Sequence, residues 1–462
     1  MTKQQRIILF LICAFLFVIS AVAVIFYSQG FRLDLKNRRI AQTGAFYFKV
    51  LPKNAQIFLD GKLKKRTDFL FSSALIENLL ARKYRVEIKK EGYFTWEKTL
   101  EAKEKEATEA KNIILIKKNP NLAALADGID QFFFSPDEKK MVLLENTRGN
   151  EGNWELKLYD LKLNIKSHLI KSSDIAKGGA DFIDLDFSPD SKTILLKVGL
   201  KEKDSHYLID LENTPTNLSA LDFLGKNIEK IVFQPKGSKK LFFLNQGKMG
   251  EADLSQRKTS TIPVGTILDF AVFDGGVYYL ESTGHLYQTD FAFASKNKLN
   301  ETSLSVLPET KYEIKVLSDS LFVKEENKLY LLDAENKKFN NLLDKNNFLK
   351  ISPDSEKIVY ASDFEIWILF LKEQLNQPQK KKGEKMFLTR FSEPIEDIFW
   401  LNSHYLIFSI KGKIKIAEID DRDRINIVDL AEFKEPTMHF NQPSKKFYVL
   451  SEGKLLSSES LW

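Results

Sequence analysis

Three short segments of this chain repeat one pattern, in which an apolar strand runs into a Ser-Pro-Asp turn and a second apolar run follows at a constant distance. The segments are Phe132–Asp137 (FFFSPD), Leu185–Asp190 (LDFSPD) and Leu349–Asp354 (LKISPD), with apolar runs restarting at Met141, Ile194 and Ile358. Proline sets φ for the second position of a type I turn, and Ser and Asp side chains bond to the turn backbone. The pattern therefore predicts repeated hairpins, and the Ser and Asp are interpreted as turn residues and not as a catalytic pair.

A second element recurs after each hairpin, an alternating segment that ends in Asp and then an apolar residue. Copies end at Leu161 (LKLYDL), Leu211 (HYLIDL), Leu254 (GEADL), Phe291 (YQTDF) and Ala334 (LYLLDA), with a looser copy ending at Asp420 (KIKIAEID). Such alternation buries one face of a strand, and the terminal Asp is expected to cap the next turn. Hairpins repeated every 40 to 50 residues or so are typical of a β-propeller.

Eight blades are predicted, with seven as the alternative if the fourth or fifth unit is an insertion. The predicted blade starts are Ile129, Ile183, Ile228, Ile267, Tyr312, Phe348, Ile395 and Thr437. Three copies are eroded: Ile231–Gly237 and Met438–Leu450 keep the proline, and Leu268–Leu280 has an Asp274-Gly275-Gly276 turn instead. The eighth unit is too short for four strands, and Asn121–Ala126 is available to complete it.

These repeats give residues 119–462 a resemblance to TolB-like and WD-repeat-like propellers. The resemblance implies a fold and no particular activity, because this architecture hosts enzymes and interaction scaffolds alike.

The N-terminus predicts a membrane anchor. After a short tail at 1–6, residues 7–27 carry no charge and are almost wholly apolar, long enough to cross a hydrocarbon core of roughly 30 Å. Ala21-Val22-Ala23 offers a cleavage-site pattern, so a cleaved signal peptide is the alternative. The residues before the only cysteine, Cys13, do not fit a lipoprotein signal. Residues 28–42 are predicted to be a linker.

The orientation of the anchor has conflicting indicators. Basic residues after the span (Arg32, Lys36, Arg38, Arg39) outnumber those before it, which alone would place the C-terminal part in the cytoplasm. That rule is weak for long translocated domains. We predict that the large domains are extracytoplasmic.

Between anchor and propeller, residues 43–118 predict a small β-sandwich. Strand-like runs are Ala45–Leu51, Ala55–Asp60, Tyr84–Lys89, Phe94–Leu100 and Asn112–Ile116, with turns at Pro52-Lys53-Asn54 and Asp60-Gly61. This module resembles the PEGA domain through Gly44, Val50, Pro52, Gly61 and the segment Tyr84–Lys98, which contains Gly92-Tyr93. It departs from that family at Ala81-Arg82-Lys83, where Pro-Gly would precede the Tyr. An anchor, a PEGA-like module and a propeller in this order resemble an uncharacterised class of bacterial envelope proteins.

Charge is divided along the chain. Residues 1–42 hold six basic and one acidic residue (net +5), residues 43–119 hold 17 and 10 (net +7), and the remainder carries −6. The cluster Lys62, Lys64, Lys65 and Arg66 is a candidate contact for anionic lipid or acidic wall polymer, with a solvated turn as the alternative. The cluster lacks interleaved aromatic residues, so nucleic-acid binding is not predicted. The mixed-charge run Glu101–Lys111 is interpreted as a solvated linker or strand end.

No catalytic residue, metal ligand or cofactor site is predicted. The sequence has no G-x-S-x-G, H-E-x-x-H, C-x-x-C or phosphate-loop motif, and its five histidines (His168, His206, His285, His404 and His439) lack ligand spacing. Asp420-Asp421-Arg422-Asp423 is interpreted as a turn in preference to a calcium loop. Asp181, Asp184 and Asp186 either line an axial channel or flank a strand. Tyr93, Phe94 and Trp96 either pack the sandwich or form a recognition patch.

The sequence favours a noncatalytic, membrane-tethered envelope scaffold whose propeller binds a protein or polysaccharide. The alternative is an enzyme that cleaves envelope carbohydrate or peptide with carboxylates at the propeller axis, because catalytic residues on different blades need share no local motif.

Overall fold

The computed structural model describes residues 3–34, 38–146, 153–201, 203–212, 217–235 and 239–462. It begins with helix α1 (Lys3–Ser28), which has no buried residue. The predicted tail therefore joins the helix from Lys3 onwards, because Lys, Gln and Arg are good helix formers. The length and apolar composition of α1 fit a membrane span and equally a signal sequence.

Two four-stranded sheets follow. Their strands are β1 (Phe31–Asp34), β2 (Arg39–Leu51), β3 (Gln56–Leu59), β4 (Lys62–Arg66), β5 (Ser73–Leu80), β6 (Arg82–Lys89), β7 (Trp96–Ala102) and β8 (Ala107–Ile114). One sheet has the order β1-β2-β5, with β8 pairing in parallel with β2, and the other has the order β4-β3-β6-β7. Side chains from both sheets, among them Phe46, Ile57, Val86 and Ala110, form one buried cluster. The module is a sandwich.

Two predictions in this module need correction, and one strand was not predicted. The predicted linker at 28–42 contains β1 and the start of β2, which pair as a hairpin with Phe31 opposite Gln42. The basic cluster is an exposed edge strand, β4, because charged side chains are well tolerated on a sheet edge. β5 was not predicted. The run Glu101–Lys111 forms the end of β7, a turn and the start of β8, in agreement with its interpretation as a strand end.

Within the described residues, the propeller has eight four-stranded sheets. Strand β9 (Leu122–Asp127) precedes blade one, β10 (Ile129–Phe134), β11 (Lys140–Asn146), β12 (Trp154–Asp160) and β13 (Ile165–Lys171). A short helix α2 (Ser172–Ile175) leads to blade two, β14 (Asp181–Phe187), β15 (Thr193–Leu200), β16 (Lys203–Asp210) and β17 (Asn217–Ala220). A 3-10 turn at Asp222–Leu224 leads to blade three, β18 (Ile228–Phe233), β19 (Lys240–Asn245), β20 (Lys248–Asp253) and β21 (Lys258–Thr261). Blade four is β22 (Ile267–Phe273), β23 (Gly276–Glu281), β24 (Leu286–Thr289) and β25 (Asn297–Lys298).

The second half repeats this plan. Blade five is β26 (Tyr312–Leu317), β27 (Ser320–Glu325), β28 (Lys328–Asp333) and β29 (Lys338–Leu343). Blade six is β30 (Phe348–Ile351), β31 (Lys357–Ala361), β32 (Glu365–Phe370) and β33 (Lys385–Arg390). Blade seven is β34 (Ile395–Asn402), β35 (Tyr405–Ile410), β36 (Lys413–Glu418) and β37 (Ile427–Glu432). Blade eight is β38 (Thr437–Asn441), β39 (Lys446–Ser451) and β40 (Lys454–Ser460), completed by β9.

Eight blades and the closing strand agree with the prediction. Seven blades start at the predicted residue, and blade two starts at Asp181, two residues before Ile183. β9 pairs with β40 in antiparallel fashion, with Ala126 opposite Leu455. Part of the eroded turn predicted at Ile231–Gly237 lies outside the described residues.

The Ser-Pro-Asp turns have the predicted chemistry. In blade one, the Ser135 hydroxyl donates to Asp137 Oδ1 (2.7 Å) and accepts from the Lys140 N–H (3.0 Å). The equivalent serines, Ser188 and Ser352, make the same pair of bonds and are buried. The Asp ending each alternating segment also caps a turn, as Asp160 does for the N–H groups of Lys162 and Leu163.

The hydrophobic core of the propeller lies between blades. Each of the eight junctions has its own apolar cluster; Leu196 and Leu144, for example, meet between blades one and two. The junction between blades eight and one contains Leu450, Leu455 and Met141, and it closes the ring. First strands of neighbouring blades contact one another at several junctions, such as β22 with β26 and β34 with β38, so these strands surround the axis.

Removing β9 should destabilise the propeller. We expect a chain of residues 128–462 to lose about 2 to 4 kcal/mol of unfolding free energy relative to a chain of residues 121–462, at roughly 1 kcal/mol for each lost ladder hydrogen bond. Denaturant titration of both chains measures the difference, and both lack the sandwich, so only the closing strand differs. Equal midpoints would show that β9 does not complete blade eight.

Candidate functional site

The sandwich and the propeller meet at a buried ion pair. The ammonium of Lys98, on β7, lies 2.7 Å from Glu418 Oε1 at the end of β36, and the two side chains are 0% and 4% exposed. Lys98 Nζ also lies within hydrogen-bond distance of the carbonyls of Asp420 (2.7 Å), Arg422 (2.9 Å) and Arg424 (2.6 Å). The turn after β36 therefore encloses the end of a sandwich side chain.

The carboxylate of Glu418 is surrounded by further donors. Trp96 Nε1 donates to Glu418 Oε2 (2.7 Å), and the side-chain amide of Asn426 donates to Oε1 (2.7 Å). Burial raises the pKa of Glu418, and the ammonium of Lys98 opposes that rise. Since a buried charge is tolerated only when it is paired and hydrogen-bonded, this constellation holds the two domains together.

Apolar and backbone contacts extend the junction. Ile114 and Ile116 belong to the cluster between blades seven and eight, and Phe94 packs against it. The N–H of Ile114 donates to the hydroxyl of Tyr405 (3.0 Å), whose pKa burial raises well above its ordinary value. The contacts join both sheets of the sandwich to the propeller, so the two domains form one body.

A cavity of about 190 Å³ lies beside this junction. It is lined by β8 of the sandwich and by turns of blades six and seven, and domain interfaces are common positions for ligand sites. Three of its basic side chains are paired with carboxylates: Lys357 with Asp354 (2.6 Å), Arg422 with Asp420 (2.6 Å) and Lys380 with Asp421 (2.6 Å). The site can offer hydrogen bonds to a small polar molecule.

His404 also lines the cavity. None of the described residues hydrogen-bonds to its imidazole. Burial lowers the pKa of His404 to about 4, and the charge of the Lys357 ammonium makes a smaller contribution in the same direction. The imidazole is therefore neutral near pH 7.

Charged residues of the first strands form a second candidate site, at the axis. Lys230 Nζ lies 2.8 Å from Asp269 Oδ1 of the next blade, and Lys350 Nζ lies 3.4 Å from Asp397 Oδ1. Asp269 also accepts the Ile314 N–H of the following blade (2.6 Å). Burial raises the pKa values of Asp269 and Asp397, and the lysines oppose that rise. These pairs connect neighbouring blades.

His439 lies near the same axis. Its ring stacks on Phe134 with centroids 3.9 Å apart, and its Nε2 has no hydrogen-bond partner, the nearest carboxylate oxygen being that of Glu138 at 3.8 Å. Burial lowers the pKa of His439 to about 4, and the charge of Lys350 makes a smaller contribution in the same direction.

The stability of the folded chain should fall as the pH drops from 6.5 towards 4. His404 and His439 have folded pKa values of about 4, below the ordinary 6.5, so the unfolded chain binds more protons in this window. The unfolding free energy that each neutral histidine contributes is fully present above pH 6.5 and is lost as the pH falls from 6.5 to 4. The loss is at most about 3 kcal/mol for each histidine. Denaturant titrations of wild type, His404→Asn and His439→Asn across this range measure the slope. The variants should be less pH-dependent, and equal slopes would contradict the assignment.

Asp184 and Asp186 are two of the three aspartates predicted either to line an axial channel or to flank a strand. They lie on the first strand of blade two, two residues apart and therefore on one face, and both are exposed. Although the Asp186 side chain reaches solvent, the protein atoms around it remove part of its hydration, and this desolvation, together with the smaller effect of the Asp184 charge, raises the pKa of Asp186. Asp181 lies at the start of the strand, near Gly199.

The remaining predicted residues have structural positions. Asp420–Asp423 forms a turn in which Asp420 pairs with Arg422, and Asp423 accepts the Thr99 N–H (2.7 Å). Trp96 and Tyr93 pack in the sandwich, as the packing interpretation predicted, and Phe94 packs on the propeller. No group of three or more His, Cys, Asp or Glu residues suited to a metal ion occurs within the described ranges.

Sequence reasoning missed the Lys98–Glu418 pair. Lys98 alternates with buried Trp96 and Leu100 on β7, so strand alternation placed a charge on the core face. That inward lysine was the only indication, and its partner lies 320 positions later.

Neither a family model nor a curated protein matches this sequence. Among solved structures, the fold is similar to a eukaryotic initiation factor (16% identity, covering 74% of this chain and 87% of that chain, TM-score 0.48). It is also similar to the Dos1 propeller (15% identity, covering 74% of this chain and 94% of that chain, TM-score 0.45). A third similar structure is the computationally designed Ika8 protein (11% identity, covering 72% of this chain and 96% of that chain, TM-score 0.44). At these scores the likenesses carry no argument, and the propeller assignment rests on strand pairing and on the eight junctions.

Proposed function

We propose that this chain is a noncatalytic interaction scaffold of the cell envelope, tethered by α1, with a propeller that binds a protein or polysaccharide. The resemblance to PEGA and TolB-like modules supports an extracytoplasmic position. The observation that carries the proposal is the buried Lys98–Glu418 junction, because it fixes how the propeller is held relative to the tether.

The junction occupies one end of the propeller. Its contacts come from the turns that join first to second and third to fourth strands, such as Tyr405 at the start of β35 and the turn after β36. The opposite end consists of second-to-third-strand turns and blade connections, and none of the sandwich contacts described above lies there. This free end faces away from the sandwich and is available to a large partner.

Site-specific photo-crosslinking in the native membrane tests the scaffold proposal. A photoreactive residue replaces Phe364 or Lys411, both exposed at the free end. A matched control replaces Leu163, which is exposed on blade one at the sandwich-facing end. We expect a discrete adduct from the free-end positions and none from Leu163. Recovery of lipid alone, or the same adducts from all three positions, would contradict the proposal.

An envelope hydrolase is the second candidate, favoured by the raised pKa of Asp186 beside Asp184. A raised pKa is what a general acid requires near neutral pH. Incubation of the purified chain with isolated envelope material, followed by detection of released sugars or peptides, tests this activity. Release that is abolished by Asp186→Asn would favour the enzyme over the scaffold.

A further inference from the structure

The loop between β4 and β5 exposes three consecutive large apolar side chains. Phe69, Leu70 and Phe71 are 75%, 73% and 74% exposed. Removing a side chain of this size from water stabilises by roughly 1.5 to 3 kcal/mol, and none of the three realises that gain in the free chain. A contiguous apolar tip of this kind is characteristic of an interaction surface.

The loop has an ordered backbone. Asp68 accepts the N–H groups of Phe71 (2.5 Å) and Ser73 (2.9 Å) and the Ser73 hydroxyl (2.8 Å). These bonds lower the pKa of Asp68 to about 2, so its carboxylate is charged at neutral pH. Next to it, the buried Thr67 hydroxyl accepts the Ala55 N–H (2.9 Å). Polar side chains thus fix the base of the loop while its apolar tip points into solvent.

One basic residue lies beside the apolar tip, and others lie on the strand that leads to it. Lys53 Nζ lies 4.8 Å from the ring centre of Phe69. The neighbouring edge strand β4 carries four exposed basic residues in five positions, Lys62, Lys64, Lys65 and Arg66. Each such residue near an anionic membrane contributes favourable attraction.

We propose that loop 67–72, called here the apolar loop, inserts into the boundary between head groups and acyl chains of an anionic phospholipid bilayer. Apolar side chains flanked by basic ones are the chemistry that binds such an interface. The inference rests on the membrane tether of the proposed function and adds a second membrane contact, made by the sandwich itself.

The position of α1 allows both contacts at once. Arg32 donates to the Asn78 side chain (2.6 Å) and to the Tyr27 carbonyl at the end of α1 (2.8 Å), so the helix ends near Asn78 of β5. The apolar loop joins β5 at Ser73, five residues away, or about 17 Å along the strand. With β5 lying close to the membrane plane, helix end and loop tip reach the same bilayer surface.

Environment-sensitive labels in reconstituted full-length protein test this arrangement. In one sample the label is on native Cys13, within α1. In two others, Cys13→Ser is combined with Leu70→Cys in the loop or with Lys248→Cys, an exposed propeller position that serves as control. Nanodiscs contain phosphatidylcholine with or without phosphatidylglycerol, and nitroxide lipids report contact with acyl chains.

In anionic nanodiscs, we expect the emission of the labels at positions 13 and 70 to shift to the blue relative to a label in water, and to be quenched by the nitroxide lipids. The emission of the label at position 248 should be unchanged. Adding Lys62→Glu, Lys64→Glu and Lys65→Glu should abolish the shift at position 70 and leave position 13 unaffected. If the label at position 70 stays in water while the label at position 13 is quenched, the loop proposal is wrong and the tether stands. We would expect this result if the apolar loop binds a protein or a second copy of this chain. Absence of quenching at position 13 overturns the tether, and with it the loop proposal.

Discussion

Lys98→Ala should lower the unfolding free energy of the chain by about 3 to 5 kcal/mol, because it leaves the Glu418 carboxylate buried without its cation. The same change removes the donor to three carbonyls of the turn after β36. Denaturant titration measures the loss, with tryptophan fluorescence reporting on Trp96, which donates to the same carboxylate.

The control for this prediction replaces both charges. Lys98→Met with Glu418→Leu removes the pair together with its desolvation penalty, and such replacements are often neutral or stabilising. We expect the double variant to be clearly more stable than Lys98→Ala. A loss below about 1 kcal/mol for Lys98→Ala, the range of an exposed ion pair, would show that water reaches the junction.

Phe408→Ala should cost about 3 to 5 kcal/mol, the range of buried Phe truncations. Phe408 is fully buried in the cluster between blades six and seven, so its removal leaves a cavity in an interblade junction. Chemical denaturation of the full chain gives the value. The matched control is Phe387→Ala on β33 of blade six, whose side chain is 46% exposed and whose loss should cost much less. Similar losses for both variants would mean that the stability of the ring does not reside between the blades.

The propeller could be predicted from the sequence because its information is local and repeated. Each Ser-Pro-Asp turn is closed by bonds among residues within five positions of one another, as with Ser135, Asp137 and Lys140. Even eroded units keep their apolar alternation. The closing strand was predictable because the eighth unit lacked a fourth strand and a short apolar segment preceded the first.

The sandwich was harder to predict because its strands depend on partners that are distant or atypical. β4 has the sequence KLKKR and becomes a strand only through pairing with β3, and β1 pairs with the start of β2 in a segment of mixed composition. The junction depends on contacts between residues more than 300 positions apart, such as Trp96 and Glu418. No local pattern encodes such a contact.

The function that we propose depends on this junction. A propeller held rigidly at one end presents its other end at a constant distance from the membrane, whereas a propeller on a loose connection would sample many orientations. Because three carbonyls and one carboxylate hold the Lys98 ammonium, we expect the rigid connection.

A distance measurement between the two domains tests this claim most directly. Spin labels are attached at Lys105→Cys on the sandwich and at Lys248→Cys on the propeller, in a Cys13→Ser background. Both positions are exposed, and they lie on different domains. Pulsed electron paramagnetic resonance of the full chain in nanodiscs should give one narrow distance distribution, which broadens in Lys98→Ala. A broad distribution in the chain with Lys98 intact would contradict the rigid scaffold.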